Sequence, residues 1–120
     1  MTASLSTDVE CTMMADMFTQ MRRIITLQRM FCNEKALLGE AYPQLLSVMD
    51  AIRFATVNGA KGLRLEHRAG TLRPGKEADI ILLDANALNV APLNHVAGAV
   101  VTLMERSIVQ TVLCARGARA

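Results

Sequence analysis

Apolar positions recur with a helical period from Asp16 to Phe31, and this is the clearest pattern in the first half of the chain. Met17, Phe18, Met21, Ile24, Ile25, Phe31 and the adjacent Cys32 fall on one side, while Gln20, Arg22, Arg23, Thr26 and Arg29 fall on the other. That spacing predicts an amphipathic helix, with Thr12 or Asp16 as its N-cap. A break is expected at Gly39 and another at Tyr42-Pro43, because the residue before a proline is pushed out of the α region. A second helix is expected to begin at Ser47, with Asp50 three residues on as a capping-box partner. Its stripe of Val48, Ile52, Ala55 and Ala51 is narrow and small-sided, which suits close packing, and Asn58-Gly59 or Gly62 can end it.

The period changes after Gly70. Arg73-Pro74-Gly75 is turn chemistry, Lys76 and Glu77 read as solvated, and Ile80 to Leu83 form an unbroken apolar run. Such a run, bounded by a turn and Asp84, predicts a strand covered on both faces. Ala85 to Pro92 reads as a loop, and Asn94 to Ala97 as a single turn. Ala99 to Met104 and Ile108 to Leu113 are rich in β-branched residues and predict two strands, with Glu105-Arg106-Ser107 as their hairpin connection. Arg116-Gly117-Ala118 reads as a short terminal turn. Helices first and strands last give an α+β arrangement.

Composition narrows the possible functions. A net charge of +2, with 3% aromatic residues and no Trp, argues against nucleic acid as a partner and against an anionic membrane surface. No apolar run approaches the roughly 20 residues of a membrane span, and the N-terminus lacks the pattern of a signal peptide, so the expected location is cytoplasmic. Cys11, Cys32 and Cys114 share no metal-like spacing and read as reduced thiols packed as small hydrophobes. His67 and His95 stand alone, His95 as a surface or turn residue, so no zinc site is expected from this chain by itself. Pro74-Gly75-Lys76 lacks the glycine spacing and the following Ser or Thr of a phosphate-binding loop.

The stretch from Gly70 to Asp84, G-T-L-R-P-G-K-E-A-D-I-I-L-L-D, also resembles the C-terminal signature of the amidohydrolase superfamily, in its cytosine deaminase and triazine hydrolase branch. Gly70, Thr71, Leu72, Pro74, Gly75, Lys76, Ala78 and Asp79 carry the match. Ser6-Thr7-Asp8, the D-M-F-x-x-M-R segment from Asp16 to Arg22, Leu27 to Arg29, Ala55-Thr56 and Asn58-Gly59-Ala60 extend it over essentially the whole chain. After Asp8 the sequence Val9-Glu10-Cys11-Thr12 departs from the Ser-Asn-Asn-like turn of many relatives, which leaves the substrate open.

The resemblance implies a fold and a role. Residues 1–69 would be the last strand and following helices of a (β/α)8 barrel, and residues 70–120 the C-terminal strands of a small composite β-sandwich. Asp8 would end barrel strand eight, contact the metal and shuttle a proton for the attacking water. Zinc or iron would be the metal of the complete enzyme, and none is expected in this chain, because a lone aspartate falls short of the roughly three protein ligands of a catalytic zinc. A full barrel takes about 250 residues. The expected identity is therefore a portion of a hydrolase acting on C–N or related bonds of a cyclic amide, aminated heterocycle or similar small molecule, and inactive alone. Its expected partners are the missing N-terminal part or another copy of the chain. The alternative is a non-catalytic, self-associating α+β module.

Overall fold

A computed structural model describes residues 3–7, 11 and 15–114. The long helix α1 spans Met17–Leu37. Asp16 caps it, its carboxylate accepting from the backbone N–H groups of Phe18 and Thr19 at 3.1 Å each. The alternative cap, Thr12, lies outside the described residues, as does the expected terminal turn at 116–118. The helix runs on past Phe31 and stops at Gly39, whose φ of 71° is open to glycine. Gly39 N–H donates to the Ala36 carbonyl and Glu40 N–H to the Lys35 carbonyl, the paired bonds of a Schellman motif. The expected break at Gly39 is thus the true end of the helix, and Asn33 to Leu37 belong to it.

Helix α2, Val48–Ala55, opens with the capping box read from Ser47 and Asp50. Ser47 Oγ accepts from Asp50 N–H at 3.2 Å, and the Asp50 carboxylate accepts from Ser47 N–H at 2.9 Å and from its hydroxyl at 2.6 Å. The helix stops earlier than Asn58-Gly59. Thr56, at φ −125° and ψ −87°, breaks it, and a short helix α3 then spans Val57–Gly62.

The strand expected at Ile80–Leu83 forms, as β1, and pairs antiparallel with β2, Val109–Leu113. Ile80 faces Leu113, Ile81 faces Val112 and Leu82 faces Thr111; the register then slips, so that Leu83 faces Val109. Asp84 N–H continues the ladder to the Ile108 carbonyl. The strand is not covered on both faces: Ile81 and Leu82, which point to opposite sides, are both about half exposed.

The strand expected from Ala99 to Met104 does not form. Val96–Thr102 forms α4, and Arg106–Ile108 is a turn of 3-10 helix rather than a hairpin loop. Two observations explain why β-branched residues are helical here. The His95 ring caps the helix, its Nδ1 accepting from Gly98 N–H at 2.8 Å, and Gly98 leaves room for it, since a Cβ there would sit 2.8 Å from that nitrogen. Ala99 and Val101 are then buried against α1 and α2, and this packing outweighs a weak local preference.

The core draws on both halves of the sequence: Phe18, Met21 and Ile25 from α1, Ala51 from α2, then Val90, Ala99, Val101, Met104 and Ile108. Cys32 is buried as expected, whereas Cys11 and Cys114 are exposed and do not pack as small hydrophobes. Among the described residues no helix is long and apolar enough to cross a membrane.

The capping box gives a stability prediction. Hydrogen bonds from Ser47, the side chain first and then the backbone, with a smaller contribution from Arg53, hold the Asp50 carboxyl below its ordinary value of 3.8. A carboxyl lowered in the folded state contributes stability above that ordinary value and loses it as the pH falls through the folded one. Ser47→Ala is expected to cost about 1 kcal/mol near neutral pH. In urea titrations the gap between wild type and Ser47→Ala should narrow as the pH falls below about 4.

Candidate functional site

Segment 3–7, which belongs to no helix or strand, precedes Asp8 in sequence, the residue to which the resemblance gives acid–base work. Asp8 itself lies outside the described residues, with residues 9 and 10. Two hydrogen bonds join the segment to α2 and α3. Leu5 N–H donates to the Phe54 carbonyl at 3.2 Å, and Asn58 Nδ2 donates to the Ala3 carbonyl at 2.8 Å.

Leu5 stands between two cavities. One, of about 580 Å³, lies between α2–α3 and the stretch that enters β1; Ala55, Ala60, Leu65, Thr71 and Ile80 are among its walls. The other, of about 560 Å³, runs along the outer side of α1 past Ile24, Leu27, Phe31 and Leu46. Both are mainly apolar. Thr71 Oγ1 is fully buried at the first cavity and has no hydrogen-bond partner. A smaller cavity of about 320 Å³ is walled by the polar or charged residues Asp16, Thr19, Arg22, Glu105, Arg106 and Ser107. Arg22 donates there through Nη2 to the Met104 carbonyl at 3.0 Å, which fixes α1 to the end of α4.

Polar contacts hold the junction from Glu66 to Asp79, and they involve Lys76 and Glu77, which by sequence read as solvated. Lys76 Nζ donates to the carbonyls of Glu66 and Ala69. Glu77 N–H donates to the Arg68 carbonyl at 2.9 Å, and the Arg68 guanidinium returns to the Glu77 carboxylate at 2.7 Å. The expected turn is present: Gly75 takes φ 84°, and Lys76 N–H closes it onto the Arg73 carbonyl at 3.2 Å. Gly70, at φ 85°, is more constrained, since a Cβ there would lie 2.8 Å from Ala60 Cβ and 3.3 Å from Val57 Cα. Sequence patterns missed Lys76 as a clasp, Asn58 as an anchor and His95 as a cap. Only His95 carried a local signal, an acceptor side chain three residues before a glycine at the head of a helix.

A family model described as "Amidohydrolase family" matches residues 2–116. The chain belongs to the amidohydrolase family. It is 34% identical over 98 residues to a 5-methylthioadenosine/S-adenosylhomocysteine deaminase of Caldanaerobacter subterraneus, covering 82% of this chain and 21% of that protein. It is 31% identical over 99 residues to a 5'-deoxyadenosine deaminase of Methanothermobacter thermautotrophicus, again with 82% and 21% covered. Among solved structures it superposes on an adenosine deaminase from Xanthomonas campestris with bound zinc, at TM-score 0.66 and 31% identity over 82% of this chain and 20% of that one. The chain thus spans about a fifth of the length of these relatives.

A metal centre needs several ligands in one place, and the described residues do not supply them. Among them no three His, Cys, Asp or Glu side chains gather closely enough to hold an ion, and His95 Nδ1 is engaged at the head of α4. A family zinc therefore does not fit these residues by themselves.

The two junction glycines make a paired test, because they share nearly the same positive φ and differ in surroundings. Gly75→Ala, in open space, is expected to cost about 1 kcal/mol for its positive φ alone. Gly70→Ala adds a clash with helix α3 and is expected to cost clearly more, about 2–4 kcal/mol. Thermal unfolding of the two variants side by side checks the order.

Proposed function

We propose that this chain is a portion of a metal-dependent deaminase that replaces the exocyclic amino group of a purine-nucleoside-type heterocycle with oxygen, releasing ammonia. The observation that carries the reading is the family match over residues 2–116, joined to relatives and a superposed structure whose names are those of adenosine-type deaminases. In this reading residues 1–69 belong to a barrel and residues 70–120 to a small sandwich, and the complete enzyme takes zinc, the metal bound in the Xanthomonas campestris structure, rather than iron. Zinc supplies Lewis-acid activation of water when bound.

Asp8 is this chain's contribution to the chemistry. Hydrolytic deamination forms a C–O bond from water, breaks the C–N bond and moves protons from the water to the departing nitrogen. A carboxylate at the end of segment 3–7 is a suitable carrier for that proton. The remaining ligands and most of the substrate pocket come from outside this chain, so the 120 residues alone are inactive. The substrate is a small molecule and the location is cytoplasmic.

The uncovered surface gives a second reading some support. The β1–β2 sheet has two strands among the described residues, and Ile81, Leu82, Val112 and Leu113 are each 46–61% exposed. Exposed edges and apolar faces of this kind favour association, with the rest of the enzyme or with another copy. A self-associating structural module would use the same surface. Turnover decides between them. In the complete hydrolase, Asp8→Asn is expected to lower ammonia release from an adenosine-type substrate by about 10²–10⁴ with unchanged circular dichroism. Near-normal turnover of that variant would remove Asp8 from the site.

A further inference from the structure

Helix α4 has a sequence poorly suited to a helix. Five of its seven residues, Val96, Gly98, Val100, Val101 and Thr102, are β-branched or glycine. Such residues lose side-chain or backbone freedom in a helix, and a short helix has few internal bonds to offset the loss. Its packing and its ends therefore decide whether it forms. Ala99 and Val101 supply the packing, in the buried core. The tail is held by Arg22, which donates to the Met104 carbonyl at 3.0 Å. The head carries the His95 ring, whose Nδ1 accepts from Gly98 N–H at 2.8 Å.

The chemistry of that cap sets a condition. An imidazole nitrogen accepts a hydrogen bond only while it carries no proton, so the neutral ring must keep its proton on Nε2. A second proton goes to Nδ1. It turns the acceptor into a donor facing the Gly98 N–H and puts a positive charge at the positive end of the helix. Gly98 leaves the ring its place, since a Cβ there would lie 2.8 Å from Nδ1 and 3.5 Å from Cγ. From Ala85 to Met104, His95 is the only titratable side chain. The helices packed against α4 are α1, with Arg22, Arg23, Arg29, Cys32, Glu34 and Lys35 and its cap Asp16, and α2, with Asp50 and Arg53. Among the described residues none of these forms an ion pair with His95; Arg22 meets α4 at the opposite end, and Asp50 is engaged by Ser47 and Arg53.

We propose that His95 makes the attachment of α4 pH-sensitive: the helix is capped near neutral pH, and its head is released as the ring gains a proton under mildly acidic conditions. Histidine is the side chain whose ordinary titration falls between about pH 5 and 8. The sign follows from the geometry. The folded chain needs a bare Nδ1 and the unfolded chain does not, so the unfolded state takes up the proton more readily and stability falls as the pH falls through the imidazole range. The Ser47–Asp50 box responds only at lower pH, in the carboxylate range, so the two effects separate. The part released is the first turn, Val96 to Gly98, which is exposed or half-buried. Arg22 does not titrate in this range and keeps the tail of α4 on α1. None of this depends on the reaction assigned to the complete enzyme.

Thermal unfolding of the 120-residue chain between about pH 8 and pH 5 tests this, with wild type, His95→Asn and His95→Ala side by side. Asparagine keeps a capping acceptor that does not titrate, alanine removes the cap at every pH, and both variants keep His67, so its titration cancels. At the upper pH, wild type and His95→Asn are expected to melt within about 2 °C of each other, with His95→Ala about 4 °C lower. At the lower pH, wild type is expected to have lost about 4 °C relative to His95→Asn and to melt with His95→Ala. NMR follows the bond itself: the Gly98 amide proton resonance is expected to move with the titration of the His95 ring and to hold still over the same range in His95→Asn. If His95→Ala does not fold, His95→Asn and the Gly98 resonance carry the comparison. The proposal is overturned by an equal loss of melting temperature in wild type and His95→Asn, by a His95→Ala variant as stable as wild type at the upper pH, or by a Gly98 resonance that ignores the ring.

Discussion

The structure depends on how closely three helices approach one another at Ala51 and Val101. Both side chains are fully buried, and α1, α2 and α4 touch in every pairing around them. Ala51 is small enough for α2 to lie close to α1, and it shares one buried cluster with Phe18, Met21 and Ile25. A larger residue there would part the helices, since packed interiors have little slack. Val101 closes the third side, and this demand makes a β-branched segment helical. From that cluster the remaining parts take their positions: α2 leads to the break at Thr56, the break sets α3, and α3 receives segment 3–7 on one side and Gly70 on the other.

The contact at Gly70 links the two halves of the chain. With no space for a Cβ between it and Ala60 or Val57, the backbone after residue 69 lies directly on α3. Lys76, Arg68 and Glu77 then tie the turn back to the segment before it. A signature that looks like a turn followed by a strand is therefore also a clasp, and its lysine serves carbonyl groups instead of water. The cavity beneath it and the cavity along α1 place mainly apolar walls on both sides of Leu5.

Much of this was legible in the residues, for local reasons. The stripe of α1, the Ser47–Asp50 box, the stop at Gly39 and the turn at Gly75 are each set within a few positions, and each appears in the structure. The misreadings share a cause. Ala99 to Met104 has the composition of a strand, and only burial against two distant helices makes it helical. Ile80 to Leu83 is apolar throughout, yet Ile81 and Leu82 are half open, because a composition that suits burial does not supply the covering layer. Asn58 carried no pattern at all, since its partner lies 55 positions away. The family was legible from the Gly70 to Asp79 signature, whereas the substrate was not, because a structural turn carries no information about the pocket.

The central claim is that these residues do the work of the matching fifth of a deaminase. It is tested most directly by exchange: this chain put in place of the matched segment of the Caldanaerobacter subterraneus deaminase, to which it is 34% identical. Ammonia release from a methylthioadenosine-type substrate is then measured on the purified, zinc-loaded chimera. The account predicts turnover within about 10²-fold of the parent, the loss a small misplacement brings, with metal content unchanged. A chimera that folds and holds its metal but releases no ammonia would contradict it.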